Sequence, residues 1–396
     1  MILGFHYHVP AYMDDSGDIH TMGSQGVFLD SIAKYFVEVV CFLHHPRENK
    51  KNNMDYIIKS KNIKLVDIGL HDHMLKRTFR ALYSMQYLDK DIKRLDHMLI
   101  RGPSPLLPFF AKYSSKHKLS ITFMLVADYL EVLNASDIVL WKKIILKIYF
   151  KWNKNKQDFY AKNALLVANS RVIVDEYKKH GFKIYEIKTT TLSKNDLIFN
   201  KNKSLHNPIE LLYTGRIESQ KGIHIIIKAM EILYKKGIYT RLNLVGWETE
   251  KGYLEYIQTL ADEKNMLNSV IYHGAKSVGE ELLEYYRKYD IYVLASTGNF
   301  EGFPRTIWEA MASSMPVVAS TVSSIPYFLE DEKDSLLFTP KDYKQLAVQI
   351  EKFSDNKHLL SSIICNAIEK VKDNTLENQS YKLSSLILNY KENKNG

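Results

Sequence analysis

The chain runs twice through the same alternation of short apolar stretches and amphipathic helices, and this limits what it can fold into. In the first series the apolar stretches are Ile2–Tyr7, Val37–Leu43, Ile63–Ile68, Met98–Arg101, Ser120–Val126, Ala164–Ala168 and Ile184–Lys188. In the second they are Glu210–Tyr213, Arg241–Val245, Ser269–Tyr272, Ile291–Ala295, Val317–Ala319 and Leu336–Phe338. Such runs read as strands of a parallel sheet covered on both faces. Strands alternating with helices predict a doubly wound sheet, and two series predict two of them. The expected class is α/β: two doubly wound, Rossmann-like domains with a cleft between them. The first spans residues 1–200 and the second 205–375, with 376–396 as a separate C-terminal segment. The polar stretch Leu197–Pro208 reads as the linker.

Composition narrows the class further. With 396 residues, 45% of them hydrophobic, the chain can bury a sizeable core. It has no run of 18 uncharged apolar residues, and its N-terminus enters a strand without a leader pattern, so a cytoplasmic protein is expected. Cys41 and Cys365 give neither a disulfide framework nor a zinc spacing. No metal ligand set and no cofactor are expected. Residues 1–200 hold 30 Lys and Arg against 20 Asp and Glu, whereas the remainder holds 24 against 25. A basic half suits nucleic acid, an anionic membrane or an acidic ligand, and a Lys-rich background composition accounts for it equally. No aromatic-basic recognition module is present, which argues against nucleic acid.

One helix concentrates this charge. From Ile138 to Lys156 there is no acidic residue. Trp141, Ile144, Ile145, Ile148, Tyr149 and Trp152 recur at helical spacing, with Lys143, Lys147, Lys151 and Lys154 on another face. Such a helix lies in a bilayer interface, or it packs its apolar face in the core and leaves its lysines solvated. Histidines at 44, 45, 71 and 73 fall after expected strands and read as surface or satisfied core groups rather than metal ligands.

The candidate site lies in the loops after the strands of the second series. Ligands of an open parallel sheet bind at that edge. Tyr213-Thr214-Gly215-Arg216 is followed by Lys221-Gly222 and a helix. Gly215 lets backbone approach a ligand, Arg216 offers a planar fork to phosphate, and Lys221 adds a second cation. Val245-Gly246-Trp247 is a second glycine turn at the same edge. After Ile291–Ala295 comes Asn299-Phe300-Glu301-Gly302-Phe303-Pro304-Arg305-Thr306-Ile307-Trp308-Glu309. Gly302 permits a turn, Pro304 suits a helix start, and the free N–H groups of that helix favour an anion. Glu301 and Glu309 flank it, a layout suited to phosphate at one place and hydroxyls at two others. A sugar nucleotide has that shape.

In this order, these pieces resemble the retaining GT-B glycosyltransferases, in particular glycosyltransferase family four (glycosyl transferases group 1). Glu301 and Glu309, with seven residues between them, match that family's E-x7-E motif, and the likeness is specific over 210–340. The resemblance implies transfer of a sugar from a nucleotide diphosphate sugar, with retention and without a metal, to a hydroxyl of a glycan or lipid-linked acceptor. Cell-surface polysaccharide, capsule or lipopolysaccharide, is the implied product. Arg216 and Lys221 would hold the diphosphate, Glu309 the ribose, and Glu301 the transferred sugar. Gly215, Gly246, Gly302, Phe303, Pro304, Arg305 and Thr306 would complete the donor site. Gly23 and Gln25, in the stretch Gly23–Gly26, resemble a glycine-containing acceptor-side loop, or form a plain loop before a helix. Family members often place a histidine near the reacting sugar; here Asp128 takes that place or Arg101 approaches from the neighbouring strand. Residues 376–396 would cross back to the first domain. A polyprenyl-linked acceptor would explain both a basic acceptor half and a peripheral position on the inner face of the plasma membrane. Departures from the family pattern are Ser314 and Ser323-Ser324, where glycines are usual. The alternatives on the same fold are a sugar-nucleotide epimerase or a phosphorylase, and in another class a basic nucleic-acid-binding protein.

Overall fold

The structure, a computed structural model, describes residues 1–126, 133, 140–277, 279–298 and 303–395. The chain divides into two compact units, Met1–Thr189 with Glu377–Gly396, and Thr190–Leu376.

In the first unit the strands are β1 (Ile2–His6), β2 (Ala11–Met13), β3 (Ile19–Thr21), β4 (Glu38–His45), β5 (Tyr56–Ile57), β6 (Ile63–Leu70), β7 (His97–Gly102), β8 (Ser120–Leu125), β9 (Leu165–Ala168) and β10 (Ile184–Glu186). Seven of these form a parallel sheet in the order β10-β9-β8-β7-β1-β4-β6. Strand order reverses between β1 and β7. Phe42, Phe110 and Phe123 are buried on one face of the sheet, Leu3, Phe5 and Leu29 on the other. The helix Leu376–Asn395 adds Leu383 and Ile387 to the second of these clusters. It is fastened there by Ser380 to Ser31 at 2.6 Å and by Lys391 to Asp96 at 2.6 Å.

The second unit contains β11 (Ile209–Thr214), β12 (Thr240–Val245), β13 (Val270–Tyr272), β14 (Ile291–Leu294), β15 (Val317–Ser320) and β16 (Leu336–Phe338). They form a parallel sheet in the order β13-β12-β11-β14-β15-β16. The reversal lies between β11 and β14, the place where doubly wound sheets open a crevice for ligands. Tyr213, Tyr286, Tyr292 and Trp308 are fully buried in its single large core. Side chains of this kind contribute about 1.5–3 kcal/mol each by leaving water. Strand β16 has the limits expected from sequence.

Two expectations need correction. Gly23–Gly26 is the first turn of a helix, Gly23–Ala33, and not a loop. Its start is supplied from far along the chain: the Asp55 carboxylate accepts the Gly23 N–H at 2.7 Å, which no local pattern reveals. The ring of Tyr56 lies where a Cβ on Gly26 would stand, and Gln25 is buried. Strands β2, β3 and β5 form a small antiparallel sheet beside this helix. Asp14 closes its turn, accepting from Ser16 N–H at 3.0 Å and Asp18 N–H at 2.9 Å, with His20 Nε2 at 2.7 Å. The Ser16 hydroxyl, donating to the same carboxylate at 2.6 Å, is the first cause that holds Asp14 well below the usual range, followed by His20 and the Asp18 N–H. The expected linker is an integral part of the second unit. Ile198 N–H donates to Ala312 O at 2.8 Å, Asn200 N–H to Ser314 Oγ at 2.8 Å, and His206 pairs with buried Asp290 at 2.7 Å. The division between units falls after Thr189 instead.

Candidate functional site

Adjacent strands β11 and β14 put their carboxyl ends side by side, and the loops that follow them are bonded together. Thr297 N–H, after β14, donates to the Gln220 carbonyl at 2.9 Å, after β11. The loop after β12 joins the same rim. Gly215 N–H donates to Val245 O at 2.9 Å, and Ile217 N–H to Trp247 O at 2.9 Å. Here glycine is a steric requirement. Gly246 has φ 147° and a Cβ on it would stand 1.7 Å from Gly215 O; Gly222 has φ 69° and its Cβ would stand 2.0 Å from Ala295 O. The three loops touch backbone to backbone because these positions have no side chain.

Arg216 leaves β11 over this rim. Its Nη1 lies 3.2 Å from Glu218 Oε2, which also accepts from Thr249 Oγ1 at 2.7 Å. Its own carbonyl is fixed by the buried Tyr213 hydroxyl at 2.6 Å. Arg216 itself is exposed, whereas Glu218 is largely covered. Lys221 is buried in the short turn Ser219–Lys221, directly before helix Ile223–Lys235.

Glu309 sits in helix Arg305–Ala312 and is buried. Both its oxygens are held. Thr191 Oγ1 donates to Oε1 at 3.2 Å, and Tyr286 Oη donates to Oε2 at 2.9 Å. Tyr286 Oη also lies 2.6 Å from Thr214 Oγ1. Because the tyrosine proton goes to Glu309, Thr214 is the donor in that bond. Burial and the Glu309 charge push the Tyr286 hydroxyl far above its ordinary pKa, so it stays a donor. This relay joins the end of β11, beside Gly215 and Arg216, to Glu309. The carboxylate keeps lone pairs for further donors. Tyr286, Thr214 and Thr191 escape sequence reasoning because their partners are 23 to 118 residues away.

The start of helix Arg305–Ala312 is anchored from beneath: Tyr292 Oη donates to Thr306 Oγ1 at 2.7 Å. Its N-cap is Pro304, which makes no side-chain cap bond. Phe303 packs inward, 4.3 Å from the Trp308 ring and 5.2 Å from Phe328. Only its backbone can serve a ligand, whereas Arg305 is exposed. Gly215, Arg216, Lys221, Gly246, Thr306 and Glu309 thus belong to one set of bonded loops and their supports. Glu301, Gly302 and Asp128 lie outside the described residues. Gln25 and Gly23 belong to the other unit.

In that unit, Arg101 of β7 lies over the Tyr7 ring at 4.6 Å and the Phe28 ring at 5.6 Å. Around the reversal of its sheet stand His6, His8, His44 and His71. His6 is held by Phe42 O at 2.9 Å and Ser104 Oγ at 2.7 Å, and His44 Nδ1 by Gly69 O at 3.0 Å. His44 is on β4 rather than in a loop after it. Burial, with the Arg77 charge adding to it, lowers His6 to about 3, His8 to about 4 and His44 to about 3; His71 is lowered too.

Comparison with known proteins agrees with this architecture. Residues 194–370 match the family described as glycosyl transferases group 1. The chain is 26% identical over 269 residues to the amylovoran biosynthesis glycosyltransferase AmsK of Erwinia amylovora, covering 65% of each chain. It is 30% identical over 172 residues to the putative colanic acid biosynthesis glycosyltransferase WcaL of Salmonella typhimurium, covering 41% of each. The chain thus spans about two thirds or less of the length of these relatives. Among solved structures it is similar to Anabaena Alr3699/HepE in complex with UDP, with TM-score 0.69 and 16% identity over 98% of this chain and 99% of that one. The fold is of the GT-B type.

Proposed function

We propose that the chain is a retaining glycosyltransferase that binds a nucleotide diphosphate sugar on its second unit and transfers the sugar to a hydroxyl. The observation that supports this most is the bonded set of loops at the β11–β14 reversal, where two cations, glycine turns and a buried, oriented carboxylate belong to one rim. In the proposed mechanism the bond from the anomeric carbon to the diphosphate oxygen breaks and a bond to the acceptor oxygen forms on the same face. Negative charge grows on the leaving diphosphate. Arg216 and Lys221 neutralise it in place of a metal. The departing phosphate oxygen takes the proton of the attacking hydroxyl. Glu309, aimed by Tyr286 and Thr191, accepts the ribose hydroxyls; Glu301 is assigned the transferred sugar. The glutamates hold hydroxyls, and neither acts as nucleophile.

The relatives named for amylovoran and colanic acid support a surface polysaccharide as the product. The acceptor is then a growing glycan, free or lipid-linked, held by the first unit on the cytoplasmic side. The UDP in the HepE complex makes uridine diphosphate sugars the first donors to test. The test is a thermal-shift screen against UDP-, GDP-, ADP- and CDP-sugars. A ligand at about a hundred times its dissociation constant adds roughly 2.7 kcal/mol. One nucleotide class is expected to raise the melting temperature; no shift with any of them contradicts the proposal.

A further inference from the structure

Two helices of the first unit turn large apolar side chains outward. Helix Met74–Lys93 seats Ala81, Met85, Leu88 and Ile92 in the core beneath it. On its other side Leu82 and Tyr83 are exposed, with Phe79 at 66% and Tyr87 at 79%. In helix Leu140–Ala161 the inward positions are Phe150, Asn153 and Ala161. Its apolar stripe does not join them: Trp141 is 59% exposed and Ile148 66%, with Ile144 and Ile145 also exposed. Trp141, Ile144, Ile145 and Ile148 therefore do not pack in the core, whereas Tyr149, at the end of the same stripe, is half-buried.

The two faces adjoin. Thr78 Oγ1 and Tyr149 Oη lie 2.7 Å apart. Helix Leu107–Lys116 packs against both helices, and its Phe109 ring is 6.3 Å from that of Trp152. Exposed apolar patches beyond roughly a few hundred Å² mark interaction surfaces. Charge indicates the partner. Lys142, Lys147 and Lys151 are exposed on one helix and Lys76, Lys90 and Lys93 on the other. From Leu140 to Lys156 there is no acid. On the other helix Asp89 is taken by Lys116 at 2.8 Å and His117 at 2.6 Å. A second copy of this chain would set lysine against lysine. A bilayer with anionic headgroups meets both needs, hydrocarbon for the stripe and phosphate for the rim. No described helix is long and apolar enough to cross a membrane, which fits helices lying flat.

We propose that the outward faces of helices Met74–Lys93 and Leu140–Ala161 together form a docking surface for an anionic lipid bilayer. The surface is independent of the donor site. It is tested by co-sedimentation of the full chain with equimolar phosphatidylglycerol–phosphatidylcholine vesicles and with phosphatidylcholine alone. Binding is expected to the first and to be about tenfold weaker or more to the second. Phe79→Ser with Tyr83→Ser, Ile144→Ser with Ile148→Ser, and Lys142→Glu with Lys147→Glu should each weaken it by about tenfold or more. Melting temperatures of these exposed variants should match the parent, and their nucleotide-sugar response should be unchanged. Failure of the parent to bind anionic vesicles overturns the proposal. So does undiminished binding of the Phe79/Tyr83 pair, which removes helix Met74–Lys93 from the surface. Self-association of the parent in sedimentation velocity, abolished by the same substitutions without vesicle binding, assigns the face to a second copy instead.

Discussion

Glu309 shows how a single carboxylate is made specific. A buried carboxylate is costly unless its charge is met by hydrogen bonds. Tyr286 and Thr191 meet it and also fix the direction in which its remaining lone pairs point. A bond to a charged acceptor is worth about 1.5–3 kcal/mol. Tyr286→Phe should therefore leave the fold intact and loosen Glu309. The readout is discrimination of the sugar ring of the nucleotide. The parent is expected to bind UDP more tightly than 2′,3′-dideoxy-UDP, and Tyr286→Phe to narrow that gap by roughly tenfold. An unchanged gap would mean that Tyr286 does not position Glu309 for the ribose. Arg216, Lys221 and Glu309 stand out in the sequence as candidates because each stands at a strand end or helix in a spacing with chemical sense. Tyr286 is not visible, since nothing near position 286 announces a partner 23 residues on.

At the scale of elements, legibility follows how local the cause is. The six strands of the second unit are apolar runs bounded by turn residues, and each falls within about two residues of its reading. The first turn of the helix at Gly23 is invisible because its first N–H is bonded by Asp55, and glycines in sequence suggest a loop. Strands β2, β3 and β5 are two or three residues long, too short for an alternation to register. Periodicity in helix Leu140–Ala161 reveals an apolar face but not the direction in which it points. Only the tertiary structure shows Phe150 and Asn153 turned inward and the tryptophan–isoleucine stripe outward. The expected linker fails for a related reason: polarity marks a surface segment, and hydrogen bonds to Ala312 and Ser314 make that segment part of a unit.

At the scale of the whole molecule, the two units use the same topology with different chemistry at the point of reversal. The second gathers cations and an oriented carboxylate; the first gathers neutral histidines around Arg77 and Arg101. This difference should appear in acid. His6, His8 and His44 have folded values of about 3 to 4, below an unfolded value near 6.5. Between these limits the unfolded chain binds more protons than the folded one, so stability falls as pH falls. The contribution is complete above about pH 6.5 and is lost progressively towards pH 4. Three such histidines contribute roughly 4 kcal/mol per pH unit in the steep part of that window. Carboxylates held low, such as Asp72 and Asp89, act only below the ordinary carboxylate range, which separates the two effects. Calorimetry at about pH 7.5 and about pH 5 should show a large fall in melting temperature. His44→Phe should flatten that dependence. Equal melting temperatures at the two pH values would contradict it.

The central claim is that the loop after β11 holds the diphosphate of the donor. Calorimetric titration with the nucleotide diphosphate identified by the screen, for the parent, Lys221→Ala and Arg216→Ala, tests it most directly. Charge-assisted bonds to a diphosphate predict a loss of roughly ten- to a hundredfold in affinity for each variant. Parent-like affinity in both variants would contradict the account.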